Sequence, residues 1–242
     1  MKIILIGRGR MGQMIENTAR AAGDEIAASF DEFDIQDLSK CDKIADVMMD
    51  FSRPSAMPYL KEYVCRTHTP LLSGTTGLDQ AGFDLLNLMG QAAPVLWSAN
   101  YSLGVAALYR ALQVISPVLN GAYDMEITET HHNQKEDAPS GTAKLLLQAL
   151  DPDGKFHPVY GREGFTGKRE SNEIGVHAIR GGTEAGTHTV YFFGPDEQLE
   201  FTHRAASRQI FVNGALHMAR LLPGKPNGVY DLQRILFGPS AV

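Results

Sequence analysis

Ile3-Ile4-Leu5-Ile6-Gly7-Arg8-Gly9-Arg10-Met11-Gly12 decides the fold of this chain. Its first four residues are apolar and mostly β-branched, the composition of a strand buried on both faces of a parallel sheet. A glycine-rich turn follows at once. Met14, Ile15, Thr18, Ala19 and Ala22 then recur near a helical period, with Gly23 placed to end the helix. Strand, glycine turn and helix in that order give GxGxxG a mechanism. The glycines allow a tight turn and close backbone approach, and the helix N-terminus offers N–H groups to a pyrophosphate.

Working outward, Glu25 to Phe30 reads as a second strand ending at Asp31, about 20 residues beyond Gly12, where a ribose-binding acid is needed. Glu32, Asp34 and Asp37 follow with no Lys or Arg before Ser39 to neutralise a 2′-phosphate. That favours NADH over NADPH, with Arg8 and Arg10 as the counter-argument. Ala45 to Phe51, Pro70 to Ser73 and Pro94 to Ser98 resemble further buried strands, and helical stretches over 55–66 and 79–89 separate them. Alternating strand and helix with short links predicts an α/β, Rossmann-type doubly wound sheet. Ligands bind beyond the strand C-termini of such sheets, where Gly7, Asp50, Gly74 and Asn100 fall.

From Ala106 the pattern changes. A helix to Leu119 is followed by alternation over 123–130, then by strands over 173–180, 186–194 and 198–204 with little helix between them. The expectation is an α+β second domain with a mixed or antiparallel sheet. Ile210 to Leu222 is again helical, and Val229 to Phe237 is a final apolar segment. The net charge of −6, with no Lys/Arg run, argues against nucleic acid. Cys41 and Cys65 have neither CxxC spacing nor a neighbouring His cluster, so no disulfide framework or zinc site is indicated. Four apolar residues are too few for a signal-peptide core, and no stretch approaches a membrane span. A cytoplasmic protein without a membrane partner is expected.

The stretch richest in chemistry runs from Glu129 through His131, His132 and Lys135 to Pro139-Ser140-Gly141-Thr142-Ala143. Ser140 is a plausible N-cap for a helix from Ala143 to Leu150, and the turn before it leaves N–H groups and two hydroxyls at a positive helix end. Lys135 adds a full charge, so an anionic, carboxylate-bearing substrate is implied. His131 and His132, adjacent on a strand, point to opposite faces and do not share a metal ion, so no metal is assigned. A histidine beside such a site can instead donate a proton, since its ordinary pKa lies near neutrality.

These segments resemble the dihydrodipicolinate reductase family, strictly 4-hydroxy-tetrahydrodipicolinate reductases, of the diaminopimelate route to lysine. Besides 129–143, the resemblance rests on Gly9-Arg10-Met11-Gly12, Asp50-Phe51-Ser52, Gly74-Thr75-Thr76-Gly77, Ala99-Asn100-Tyr101-Ser102, Arg180-Gly181-Gly182, Gly186-Thr187-His188-Thr189 and 203–208. It implies a Rossmann dinucleotide-binding domain from residues 1–102 and 209–242, and a substrate-binding and oligomerisation domain over 103–208. It also implies hinge movement on binding and a homotetramer formed through the substrate-domain sheets. His131 is then the proton donor and Lys135 a substrate-binding cation that assists it. His132, Ser140, Gly141 and Thr142 hold a cyclic dicarboxylate. Gly7, Arg8, Gly9, Arg10, Met11 and Gly12 carry the phosphates of NADH or NADPH, Asp31 the ribose, and Gly74, Thr76, Ala99 and Tyr101 the nicotinamide side. The glycine turn is one residue shorter than the family's usual GxxGxxG. A sugar or amino-acid dehydrogenase would explain the Rossmann half but not the helix start at Ser140 beside His131 and Lys135. A non-catalytic NAD sensor would need a partner-binding appendage, and none is left over.

Overall fold

The computed structural model describes residues 1–238. Its elements begin with β1 (Lys2–Ile6), α1 (Arg10–Ala21), β2 (Glu25–Phe30), β3 (Val47–Asp50), α2 (Met57–Thr67), β4 (Leu71–Ser73), α3 (Gln80–Ala92) and β5 (Pro94–Trp97). Next come α4 (Leu103–Leu119), β6 (Asp124–His131), α5 (Gly141–Leu150), β7 (His157–Val159), β8 (Glu173–Arg180), β9 (Thr187–Gly194) and β10 (Glu197–Arg204). The chain closes with α6 (Gln209–Leu221), β11 (Gly228–Tyr230) and α7 (Leu232–Phe237). It divides into two compact units, Met1–Ser102 with the segment from Gln209 onward, and Leu103–Arg208. Residues 239–242 of the range assigned to the first domain lie outside the described residues.

The first unit is an all-parallel sheet in the order β11-β5-β4-β3-β1-β2. Ile3, Ile4, Leu5 and Ile6 are at most 1% exposed, as a strand covered on both faces requires. Ile4 and Ile6 pack with Met48, Leu60, Leu71 and Leu86 on one side of the sheet. Between β2 and β3 the chain forms only a 3₁₀ turn over Ile35–Lys40, in keeping with its shortness there. The final apolar segment is not continuous. Gly228–Tyr230 pairs with β5 as an edge strand, and Asp231 caps a separate helix by accepting from the Arg234 N–H at 2.7 Å. A polar cap residue inside an apolar run is the local signal for that break.

The second unit is a mixed sheet in the order β10-β9-β6-β8-β7, with β6 antiparallel to β9 and parallel to β8. Along β6, Met125, Ile127, Glu129 and His131 are buried while Glu126, Thr128 and Thr130 are half exposed. The buried face packs on α4 and α5, with Leu112, Ala143, Leu146, Ala149 and Leu150 against Met125 and Ile127. β7, only three residues with a proline, carries too little pattern to be read from sequence. Among the described residues no helix is long and apolar enough to cross a membrane.

Candidate active site

In the first unit the strand ends fall in one row, because Ile6 lies opposite Asp50, Asp50 opposite Ser73, and Ser73 opposite Trp97. The chain order reverses between β1 and β3, the point where open parallel sheets bind ligands. Gly7 has φ +98°, and a Cβ there would overlap the Phe51 carbonyl oxygen; a Cβ on Gly12 would overlap the carbonyl oxygen of Gly7. These two glycines let the turn fold back on itself so that α1 begins immediately behind β1. Gly9, the cap residue of α1, supplies no side-chain cap, and a Cβ on it would meet nothing. The N-terminus of a twelve-residue helix thus faces open ground. A cavity of about 560 Å³ opens there, bordered by Gly7, Arg8, Gly9, Asp31, Arg53 and Tyr59. Its size, donors and terminal carboxylate fit the phosphate and adenosine end of a dinucleotide.

The charge balance differs from the expectation. The acids after β2 do have basic partners, supplied from elsewhere in the chain. Arg8 Nη1 lies 3.2 Å from Asp31 Oδ2 and Arg8 Nη2 2.7 Å from Asp34 Oδ2, while Arg53 Nη1 lies 2.6 Å from Glu32 Oε2. The Asp31 N–H and Arg8 together hold the Asp34 carboxyl below the usual carboxylate range. Arg53 escaped the sequence reading because it enters from the end of β3, not from the segment after β2.

Thr76 and Ala99 are exposed at the row of strand ends, and Gly74 is held against the Phe51 ring. Tyr101 is different. Its side chain is 2% exposed and its hydroxyl donates to the Ser73 carbonyl at 2.7 Å, so it turns into the fold and leaves only its backbone for a cofactor. Beneath it, fully buried Asp50 accepts from the Ser52 N–H at 3.1 Å and the Ser73 hydroxyl at 2.7 Å. Burial pushes the Asp50 carboxyl up against those bonds. This network ties together the turns after β3, β4 and β5.

In the second unit the polar site is the upper end of β6's buried face. Glu129 is 0% exposed, and its Oε1 accepts from the Ser140 N–H at 3.0 Å and from Arg180 Nη2 at 3.0 Å. Its Oε2 lies 2.8 Å from His131 Nδ1 without hydrogen-bond alignment, so both atoms are buried and unsatisfied. Ser140 caps α5 by accepting from the Ala143 N–H at 3.1 Å, and its Oγ lies 3.0 Å from His188 Nε2. His188 meets the His131 ring edge-on at 5.0 Å. Burial pushes the Glu129 carboxyl up, but Ser140 and Arg180 outweigh it and hold it below the usual range. Burial lowers His131, partly opposed by Glu129, and lowers His188 to about 4, with the nearby His131 adding to the effect.

Around this core the sequence-assigned residues are brought together. His132 is half buried just past the strand, its N–H donating to the Glu184 carbonyl at 2.8 Å. Lys135 Nζ is paired with Asp137 Oδ1 at 2.6 Å, and Arg180 Nη2 also donates to the Asp137 carbonyl at 2.7 Å. A Cβ on Gly141 would meet nothing, so the start of α5 is open ground, with Thr142 half buried behind it. Glu129, Arg180 and His188 were not assigned from sequence. Glu129 was reachable, since residues two apart on an alternating strand share a face. Glu129, His131 and His188 place ligand atoms within 4.8 Å of one another, a set able to hold a metal ion. The histidine sharing the cluster is therefore His188, not His132. Arg180 already sits on the carboxylate and Lys135 adds positive field at His131, which matches the site to an anion better than to a cation.

Residues 1–101 match the family described as "Dihydrodipicolinate reductase, N-terminus" and residues 104–236 the one described as "Dihydrodipicolinate reductase, C-terminus". A 4-hydroxy-tetrahydrodipicolinate reductase of Clostridium novyi is 40% identical over 247 residues, covering 97% of this chain and 98% of the relative. One from Staphylococcus aureus is 40% identical over 245 residues, covering 97% and 100%. A solved dihydrodipicolinate reductase from Paenisporosarcina sp. TG-14, bound to dipicolinate, shares the fold at TM-score 0.78 and 20% identity, covering 98% of this chain and 99% of that one.

Proposed function

The chain belongs to the dihydrodipicolinate reductase family, and from that premise we propose how its residues carry the reaction. The protein is a dehydrogenase-type oxidoreductase that reduces 4-hydroxy-tetrahydrodipicolinate to tetrahydrodipicolinate, the diaminopimelate-route step, at the expense of NAD(P)H. One hydride and one proton enter the ring and water leaves from its 4-position. The bound nicotinamide supplies the hydride from C4. Everything else falls to the chain. Gly7 to Gly12 receive the pyrophosphate at the start of α1, Asp31 the ribose, and Gly74, Thr76, Ala99 and the Tyr101 backbone the nicotinamide side. The open start of α5 at Ser140, Gly141 and Thr142, with His132 and Lys135, receives the two carboxylates. His131 gives the proton through Nε2, the ring nitrogen opposite the buried Nδ1. A Cβ on Gly186 would come within 3.0 Å of that Nε2, so glycine there keeps its approach open. The observation carrying this reading is the juxtaposition of an open, Ser140-capped helix start with buried His131. Turnover is tested by loss of nicotinamide absorbance with the dicarboxylate, and a product that keeps its hydroxyl refutes the assignment.

NADH is the favoured cofactor, and Asp31 is the reason: it accepts from a 2′-hydroxyl and repels a 2′-phosphate. Arg8 and Arg53 narrow that preference, because each is a guanidinium beside the cavity that a 2′-phosphate can compete for. The expected kcat/KM for NADH at one ionic strength is therefore at least that for NADPH, and Asp31→Ala shifts the ratio towards NADPH. A strong NADPH preference unaltered by Asp31→Ala removes Asp31 from the ribose. The family also points to a cytoplasmic homotetramer joined through the mixed sheets, where stacked Tyr191 and Phe193 lie on β9 and Phe193 is exposed. A mass in solution below four chains argues against that assembly.

A further inference from the structure

We propose that Glu129 is the positioning residue for His131, holding the imidazole with Nδ1 inward and sustaining its charged form so that Nε2 can give up the proton. This rests on the reading of His131 as proton donor, and the experiment below separates the two. Glu129 is rigidly placed: it projects from β6 two residues before His131, and the Ser140 N–H and Arg180 both bind its Oε1. That leaves Oε2, buried and unsatisfied, 2.8 Å from Nδ1, which is also buried and unsatisfied. An orphaned acceptor and an orphaned ring nitrogen are costly apart, and protonation of the ring at Nδ1 makes them an ion pair at 2.8 Å that rotation of the imidazole completes as a hydrogen bond. A carboxylate behind an imidazole selects the tautomer and stabilises the imidazolium, as in other carboxylate–histidine pairs.

The surroundings make Glu129 decisive. His131 is faced by His132 and Lys135 from the following loop, by Arg180 from β8 and by His188 from β9, while α5 contributes the neutral Ser140. His188, pushed down to about 4, adds no charge near neutrality. Burial and the charges of Lys135, Arg180 and His132 all disfavour imidazolium, and Glu129 opposes them. A donor that must be protonated loses activity as pH rises through its pKa, so removing the Glu129 charge moves that loss to lower pH.

The test compares Glu129→Gln, which keeps the shape and an acceptor for Ser140 and Arg180, with Glu129→Asp, which keeps the charge. The basic limb of kcat/KM is expected to move down by about one unit in Glu129→Gln, so its loss approaches about tenfold near pH ~8, above both limbs, and shrinks towards none as pH falls below both. In Glu129→Asp the limb stays in place while kcat falls. The melting midpoint of the unit Leu103–Arg208 reports whether each variant is folded, and NADH affinity, set in the other unit, is expected to be unchanged in both. A loss in Glu129→Gln that is uniform with pH shows a merely structural role and overturns the proposal. If Glu129→Gln does not fold, a displaced limb in Glu129→Asp overturns it and an unmoved one supports it. Near-full activity of His131→Ala would instead remove the proton-donor reading itself.

Discussion

His131→Ala lowers kcat by about 10²–10⁴-fold, the range contributed by a positioned general acid, while KM for the dicarboxylate changes far less. The reason is division of labour within the second unit. The carboxylates are assigned to the α5 start, His132 and Lys135, none of which the substitution touches, so ground-state binding survives. The proton is assigned to His131 alone, because His188, which also lies near Glu129 and Gly186, is pushed down to about 4 and is not in its charged form near neutrality. The pH profile adds a second readout. Burial lowers the His131 pKa in the free enzyme, so the basic limb of kcat/KM lies below the ordinary histidine value near 6.5. A bound dicarboxylate brings negative charge and raises that pKa, which displaces the limb of kcat upward relative to that of kcat/KM. Both limbs disappear in His131→Ala. A kcat within about twofold of wild type, far below the general-acid range, takes the proton from another source.

Much of this site was legible in the chain because its physics is local. A four-residue apolar run before a glycine turn has few conformational alternatives, and β1 and α1 form where that pattern places them. The Ser140 cap follows from the residue types of one turn. What was not legible depends on which segments meet. The acids after β2 look uncompensated along the chain, yet Arg8 and Arg53 reach them from the ends of β1 and β3. Tyr101 reads as a cofactor contact by its motif, but the depth of Ser73 beside it decides that its hydroxyl turns inward. His188 has no sequence link to Glu129, and the β6–β9 register alone sets the two opposite each other. The 3.6 and 2.0 periods predict faces, and register predicts partners, which periodicity does not contain.

That register supports the second large effect, Phe192→Ala, expected to destabilise the unit Leu103–Arg208 by about 3–5 kcal/mol. Three inward pairs climb the β6–β9 ladder: Met125 with Phe192, Ile127 with Val190, and Glu129 with His188. The base is apolar and the top is the site. Phe192 is 0% exposed and meets Phe201 edge-on at 6.0 Å, so its truncation opens a cavity that close-packed neighbours fill only in part. For a unit of this size the melting midpoint falls on the order of 10–30 °C. Below the transition kcat falls as well, because Glu129 and His131 are carried on the same strand four and six residues beyond Met125, which faces the gap. Every residue that borders the dinucleotide cavity belongs to the other unit, so NADH affinity measured well below the transition stays within about twofold of wild type, an effect under ~0.5 kcal/mol. Calorimetry and a nicotinamide fluorescence titration on the same variant separate the two effects. Loss of NADH binding in step with the lowered midpoint would mean that the two units do not hold their ligands independently. An unchanged midpoint would mean that the ladder's apolar base does not bear the site above it.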